Sequence, residues 1–148
     1  MKKLATILLI ALSLSACASG KGNHIAKPFG YVSYDKDEVV FIKLTNNDGK
    51  LLGNLDSTYI KKRWSEEKVK TTSVPLKGFI KDGQVSLNLG EGWMSANLIG
   101  KYEHKNIIFT KTDDGVLTQS IFKPVNEQEY QALLEKTFSK KKSKTDVH

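Results

Sequence analysis

Few residues of this chain have the types and spacing that chemistry requires. Its 148 residues include one cysteine, Cys17, and three histidines, His24, His104 and His148, which fall in a tether, a loop and the terminus. Neither a nucleophile–histidine triad nor a histidine metal centre has obvious material. No G-x-S-x-G, H-E-x-x-H, P-loop or dinucleotide fingerprint occurs. Glu103-His104 is an adjacent acid–base pair in a turn between two strand patterns, where an exposed histidine is the commoner finding. Asp35-Lys36-Asp37-Glu38 and Asp113-Asp114 cluster oxygens that could hold calcium, but they lack the fixed spacing of a calcium loop and read as ordinary turns. Trp64 lies within the charged residues 61–68, where a basic cluster beside an indole could grip a phosphate or a sugar, although Glu66 and Glu67 cancel most of that field. Trp64 and Trp93 are the candidate ligand or partner contacts. The expectation is a protein that is not an enzyme and uses no cofactor or metal.

Cys17 differs because of what precedes it. Lys2 and Lys3 lead into an apolar run over residues 4–14, and Leu14-Ser15-Ala16-Cys17 follows. That order is a charged start, a short apolar core and a small-residue cleavage site. The run is well short of the roughly 20 residues that a helix needs to cross a bilayer, so residues 1–16 are expected to be a signal peptide. Leu14-Ser15-Ala16-Cys17 resembles the lipobox of bacterial lipoproteins. The resemblance implies a diacylglyceryl thioether on Cys17, cleavage before Cys17, and acylation of the new amine by a fatty acid such as palmitate. One acyl chain, at about 0.8 kcal/mol per buried CH₂, holds a protein only marginally, so two or three are needed. The implied location is extracytoplasmic and lipid-anchored, on the cell membrane or the outer membrane. The alternative is an ordinary secreted protein with an unrelated cysteine.

With its only cysteine spent on lipid, the chain has none left for a disulfide, and its stability must come from a core. What remains is long enough for one domain. The net charge of +7 is unevenly spread: residues 17–135 hold 16 basic and 15 acidic side chains, whereas Lys136, Lys140, Lys141, Lys142 and Lys144 crowd the C-terminal end. The body is neutral and the end basic, and because an envelope protein meets no nucleic acid in ordinary life, no nucleic-acid partner is expected. The tail either faces anionic headgroups or cell-wall polymers or is simply solvated.

Residues 17–28 form a lipidated N-terminus and flexible tether, rich in small and polar residues and closed by Pro28. From Phe29 the pattern changes to short β runs. Residues 38–45 alternate as a strong strand, with Val40, Ile42 and Leu44 on one face and Val39 and Phe41 on the other. Asp48-Gly49, Asp82-Gly83 and Asp114-Gly115 each signal a hairpin. Gly53 suggests a bulge or bend, and Pro75 an edge or a break after a weak strand over residues 69–74. Residues 61–68 read as an exposed loop or strand end. Val85, Leu87 and Leu89 alternate with polar neighbours, and residues 93–99 form another strand.

The last element is a helix. Asn126 and Glu129 make a capping box, Val125 and Tyr130 a hydrophobic staple, and Tyr130, Leu133, Leu134 and Phe138 one apolar stripe. The fold expected is mainly β: an antiparallel meander of about eight strands forming a small barrel or sandwich, with one C-terminal helix. One domain spans residues 29–138, and residues 139–148 are a basic disordered tail. In element order the chain is similar to the lipocalin and calycin barrels, although Phe29-Gly30-Tyr31 stands where their G-x-W signature belongs and Gly92-Trp93 lies elsewhere. The resemblance implies a fold and no site residues. Two functions follow as expectations. One is a lipid-anchored binding module for a small apolar ligand or for an envelope or foreign protein. The other is an accessory lipoprotein of a larger envelope complex, without a pocket of its own.

Overall fold

A computed structural model describes residues 28–63, 66–90, 92, 95–113 and 116–142. Eight strands run in chain order: β1 (Gly30–Tyr34), β2 (Glu38–Asn47), β3 (Lys50–Arg63), β4 (Glu66–Lys81), β5 (Gln84–Leu89), β6 (Ala96–Glu103), β7 (Asn106–Asp113) and β8 (Val116–Val125). One helix, α1 (Glu127–Lys142), follows. Each strand pairs antiparallel with the next, and β1 pairs with β8 through Gly30↔Val125, Tyr31↔Pro124 and Val32↔Lys123. The sheet is therefore a closed barrel, which decides between barrel and sandwich.

The turns follow from residues that accept positive φ. Asp48 and Gly49 (φ 49° and 84°) and Asp82 and Gly83 (φ 51° and 79°) make the two-residue connections that suit the twist of paired strands. Asn46 supports the first by accepting the Gly49 N–H at 3.0 Å. His104 and Lys105 make a third such turn with no glycine at all (φ 50° and 66°). Asp114-Gly115 lies outside the described residues, between the paired Asp113 and Val116.

Two expectations change. No bulge occurs at Gly53, because β2 and β3 pair one for one from Asn47↔Lys50 to Glu38↔Tyr59. Glycine is needed there for closeness: a Cβ would collide with the Lys43 carbonyl, and one at Gly78 with the Ser86 carbonyl. Of the two readings of Pro75 the edge holds and the break does not: β4 runs unbroken through it, and β5 pairs with β4 only as far as Leu76. The Pro75 carbonyl accepts the Gly90 N–H at 2.9 Å where β5 ends, so its missing N–H also faces that side and costs the β3 ladder nothing. Pro124 likewise lies within β8, and the helix takes in residues 139–142, which were expected to belong to the tail.

Strand alternation divides the apolar residues into two groups. Inside the barrel, Tyr31, Ile42, Leu51, Leu76, Ile80, Val85, Leu87, Ile107, Phe109 and Phe122 form one buried cluster, joined by the partly buried Val40, Leu44, Leu55, Leu89, Leu98 and Tyr102. Outside, Val32, Val39 and Phe41 on β1 and β2 are buried together with Phe138 of α1. The helix stripe thus packs on the outer wall: Tyr130 stacks on Phe41 with ring centroids 4.2 Å apart, and Leu133 and Leu134 lie alongside. The capping box forms in both directions, the Glu129 N–H donating to Asn126 Oδ1 at 2.9 Å and the Asn126 N–H to Glu129 Oε2 at 2.8 Å. The main buried apolar cluster of this barrel faces inward, whereas a membrane-spanning barrel turns its apolar side to lipid.

Candidate functional site

The meander fixes which residues share an end of the barrel. At one end lie the start of β1, the end of β8 and the turns at Asp48-Gly49, Asp82-Gly83 and His104-Lys105. Successive turns are tied by backbone bonds there, Ile80 N–H to the Gly49 carbonyl and Tyr102 N–H to the Gly83 carbonyl, both 2.7 Å. At the other end lie the β1–β2 connection, the close of β3–β4 at Arg63↔Glu66, the end of β5 and the close of β7–β8 at Asp113↔Val116. The second end is uneven. β4 has 16 residues and β5 only six, so β3 and β4 continue as a two-stranded arm above their neighbours.

Residues of that arm sort by alternation. Tyr59, Lys61 and Arg63 on β3 share the face of the inward-pointing Leu51 and Leu55, and Glu66, Lys68 and Lys70 on β4 share the face of Leu76. Four cations and one carboxylate therefore occupy one face, with Lys61 opposite Lys68 and Tyr59 opposite Lys70. Glu66 is bonded to Lys68 at 2.8 Å, and that lysine holds its carboxyl below the ordinary carboxylate range. Lys62 and Glu67 pair at 3.2 Å on the opposite face. Below the arm, inward-facing Leu55, Val74, Leu89 and Leu98 are only partly buried.

The residues singled out from sequence do not converge. Cys17, His24 and His148 lie outside the described residues. So do Trp64 and Trp93. His104 is exposed on a turn at the opposite end. Its neighbour Glu103 bonds Lys101 at 2.6 Å, and that lysine, more than His104, holds the Glu103 carboxyl low. Asp35 caps its own turn, accepting the N–H groups of Asp37 and Glu38 at 2.9 Å each. Among the described residues no group of three His, Cys, Asp or Glu side chains is placed to hold a metal.

One polar feature was not read from the sequence. Tyr31, 1% exposed inside the barrel, is hydrogen-bonded to Tyr102, and burial first and then that bond push its phenol well above the ordinary range. Tyr130 is also raised, by burial first and then by Asp56, with a bond to Thr58 opposing. Both tyrosines sit in apolar patterns that hide their hydroxyls from a periodicity reading.

Surface relief is shallow. Two adjoining grooves of 260 and 360 Å³ share Leu52 and Gly53 on the β2–β3–β4 wall. A third, of 330 Å³, lies between Tyr34–Asp37 and Leu133, Lys136 and Thr137 of α1. On the wall away from the helix, Phe79 (52% exposed), Ser86 and Ile99 (60% exposed) form one cross-strand row. No family model matches the chain, and no curated protein or solved structure matches it.

Proposed function

We propose that this protein is a lipid-anchored, extracytoplasmic binding module that works by docking another envelope protein on its outer surface. The observation that carries the reading is the barrel interior. A barrel of eight strands is just wide enough to be filled by side chains or to hold one small ligand, and here the inward side chains make one cluster with ten buried members. Among the described residues these inward side chains pack on one another, which favours a protein partner on the outside over an enclosed ligand. Exposed Phe79 and Ile99 on the outer wall and the cations of the arm supply contact chemistry of the kind protein interfaces use. The anchor rests on the lipobox-like Leu14-Ser15-Ala16-Cys17.

Two measurements test this. Mass spectrometry of the membrane-bound protein should find acyl groups on Cys17, and Cys17→Ser should leave unprocessed precursor or soluble protein; an unmodified thiol sinks the anchor. A photo-crosslinking residue at Phe79 or Lys70 of the full chain should yield discrete protein adducts in intact cells. Native mass spectrometry that instead finds a small molecule retained by the barrel overturns the docking reading.

A further inference from the structure

We infer, building on the docking reading above, that the outer edge of β4 beyond Leu76 is a strand-addition site for an extended acidic segment of a partner protein. β5 pairs with β4 only from Leu76↔Leu89 to Lys81↔Gln84. Among the described residues no other strand lies against the rest of that side of β4. Backbone groups alternate between the two sides of a strand. The Pro75 carbonyl points to the β5 side, where Gly90 N–H meets it, so Ser73, Thr71 and Val69 direct their N–H and C=O groups the same way. The ladder to β3 uses the even-numbered residues and is complete without them. The arm's other edge is largely closed: β2 pairs with β3 as far as Tyr59, and Ile60 N–H donates to the Asp37 carbonyl at 3.3 Å. A row of edge groups is thus held rigidly in strand geometry by a partner on one side only. A strand edge of this kind binds extended segments, with main-chain bonds supplying affinity and side chains specificity.

Charge selects the occupant. A segment added along β4 would place alternate side chains beside Lys68 and Lys70 on the face that also carries Lys61 and Arg63, and the others beside Val69 and Thr71. Glu66 already satisfies one charge of Lys68, so the face keeps an excess of positive charge. Carboxylates alternating with β-branched residues fit both faces. A second copy does not: edge-to-edge pairing of two such arms would set lysines against lysines. An anionic lipid surface would use the charges but has no strand to meet the backbone groups.

The test uses the full chain and a labelled synthetic peptide of alternating Glu and Val, read by fluorescence anisotropy. Binding that weakens with salt and is lost in Lys68→Glu/Lys70→Glu is expected. Val69→Pro and Ser73→Pro each delete one outward N–H without touching the β3 ladder or the Thr58–Thr71 hydroxyl bond, and each should weaken binding about fivefold. Their circular dichroism and melting should match the parent chain; if one of them unfolds, the other decides. A peptide N-methylated at alternate residues should not bind. The inference is overturned if both proline variants bind like the parent, which leaves a purely ionic contact. It is overturned equally if the parent chain ignores the peptide, or if phosphatidylglycerol vesicles capture the chain and the peptide does not displace them. The docking reading is judged separately, by the crosslinked adducts.

Discussion

Removing the ring of Phe138 tests how the helix is held. Phe138 is 6% exposed and is buried with Val32, Val39 and Phe41, so α1 is fixed to the outer wall by side chains from both of its ends, Tyr130 near the start and Phe138 near the finish. Truncating a buried phenylalanine to alanine costs about 3 to 5 kcal/mol. The site lies in the last turns of a terminal helix that can partly relax, which places Phe138→Ala near the lower bound, at about 3 kcal/mol. A domain of this size carries total stability of about 5 to 15 kcal/mol, and the sequence has no second cysteine for a disulfide to compensate. With a urea m-value of about 1.5 kcal/mol/M, the unfolding midpoint should fall by about 2 M. Leu133→Ala, at a half-buried position, should cost about half as much. The assay is a urea titration followed by far-ultraviolet circular dichroism, at equal m-value for all variants. Removing residues 127–148 should expose Val32, Val39 and Phe41 and give a poorly soluble chain, whereas a cut after Lys142 should be silent. If Phe138→Ala unfolds at the parent midpoint, the helix does not lean on the barrel, and the docking of α1 is wrong.

Further expectations follow from single positions. Tyr31 has a folded-state pKa above its unfolded value of about 10; both states are neutral below that value, and above it the unfolded chain loses its proton first. Stability is therefore fully present below about pH 10 and should fall above it by about 1.4 kcal/mol per pH unit. Tyr31→Phe should flatten that fall in denaturant titrations across the range, and an unchanged slope would refute the buried neutral phenol. Gly78→Ala should cost about 3 kcal/mol, because the new Cβ meets the Ser86 carbonyl group and the Leu87 Cα, all backbone; a thermal midpoint near that of the parent would show that β4 and β5 can separate. Lys105→Gly should stabilise by about 1 kcal/mol, since φ of 66° is left-handed and suits glycine; a lower melting temperature would refute the turn.

What the sequence made legible was local. Two Asp-Gly turns take the positive φ that those residues tolerate, the capping box closes as its spacing requires, and the Tyr130–Phe138 stripe meets an apolar wall. Closure was not legible, because it depends on three residues of β1 meeting three of β8, the first strand of the barrel against the last, with no local signature. The arm was misjudged for a related reason. Along the chain Glu66 and Glu67 seem to neutralise residues 61–68. In the fold the Arg63↔Glu66 closure puts Lys61 opposite Lys68 and Tyr59 opposite Lys70, while Lys62 and Glu67 leave for the other face. Segregation by alternation creates a cationic face that a running sum of charge conceals. Pro75 was legible as an edge, because β5 pairs with β4 only from Leu76 onward and the proline's N–H side has no further ladder to lose.

Placement also bears on where a basic arm can act. The chain enters the barrel at Gly30, and the arm closes at Arg63, at the far end of β3. β3 has 14 residues, about 46 Å at 3.3 Å per residue, or about 35 Å along the barrel axis at a usual strand tilt. With the Gly30 end toward an anchoring membrane, the arm stands about four Debye lengths from the headgroups at physiological salt. Their field is screened almost to nothing over that distance, so Lys61, Arg63, Lys68 and Lys70 gain little from lipid in that orientation. α1 ends on the same side, because Lys136 and Thr137 lie beside the β1–β2 connection. α1 thus runs from the Gly30 end toward the β1–β2 connection, so Lys136 lies away from the point of chain entry. On the docking reading proposed above, positive charge gathered at the end remote from chain entry would meet an acidic partner that reaches in from beyond the membrane surface.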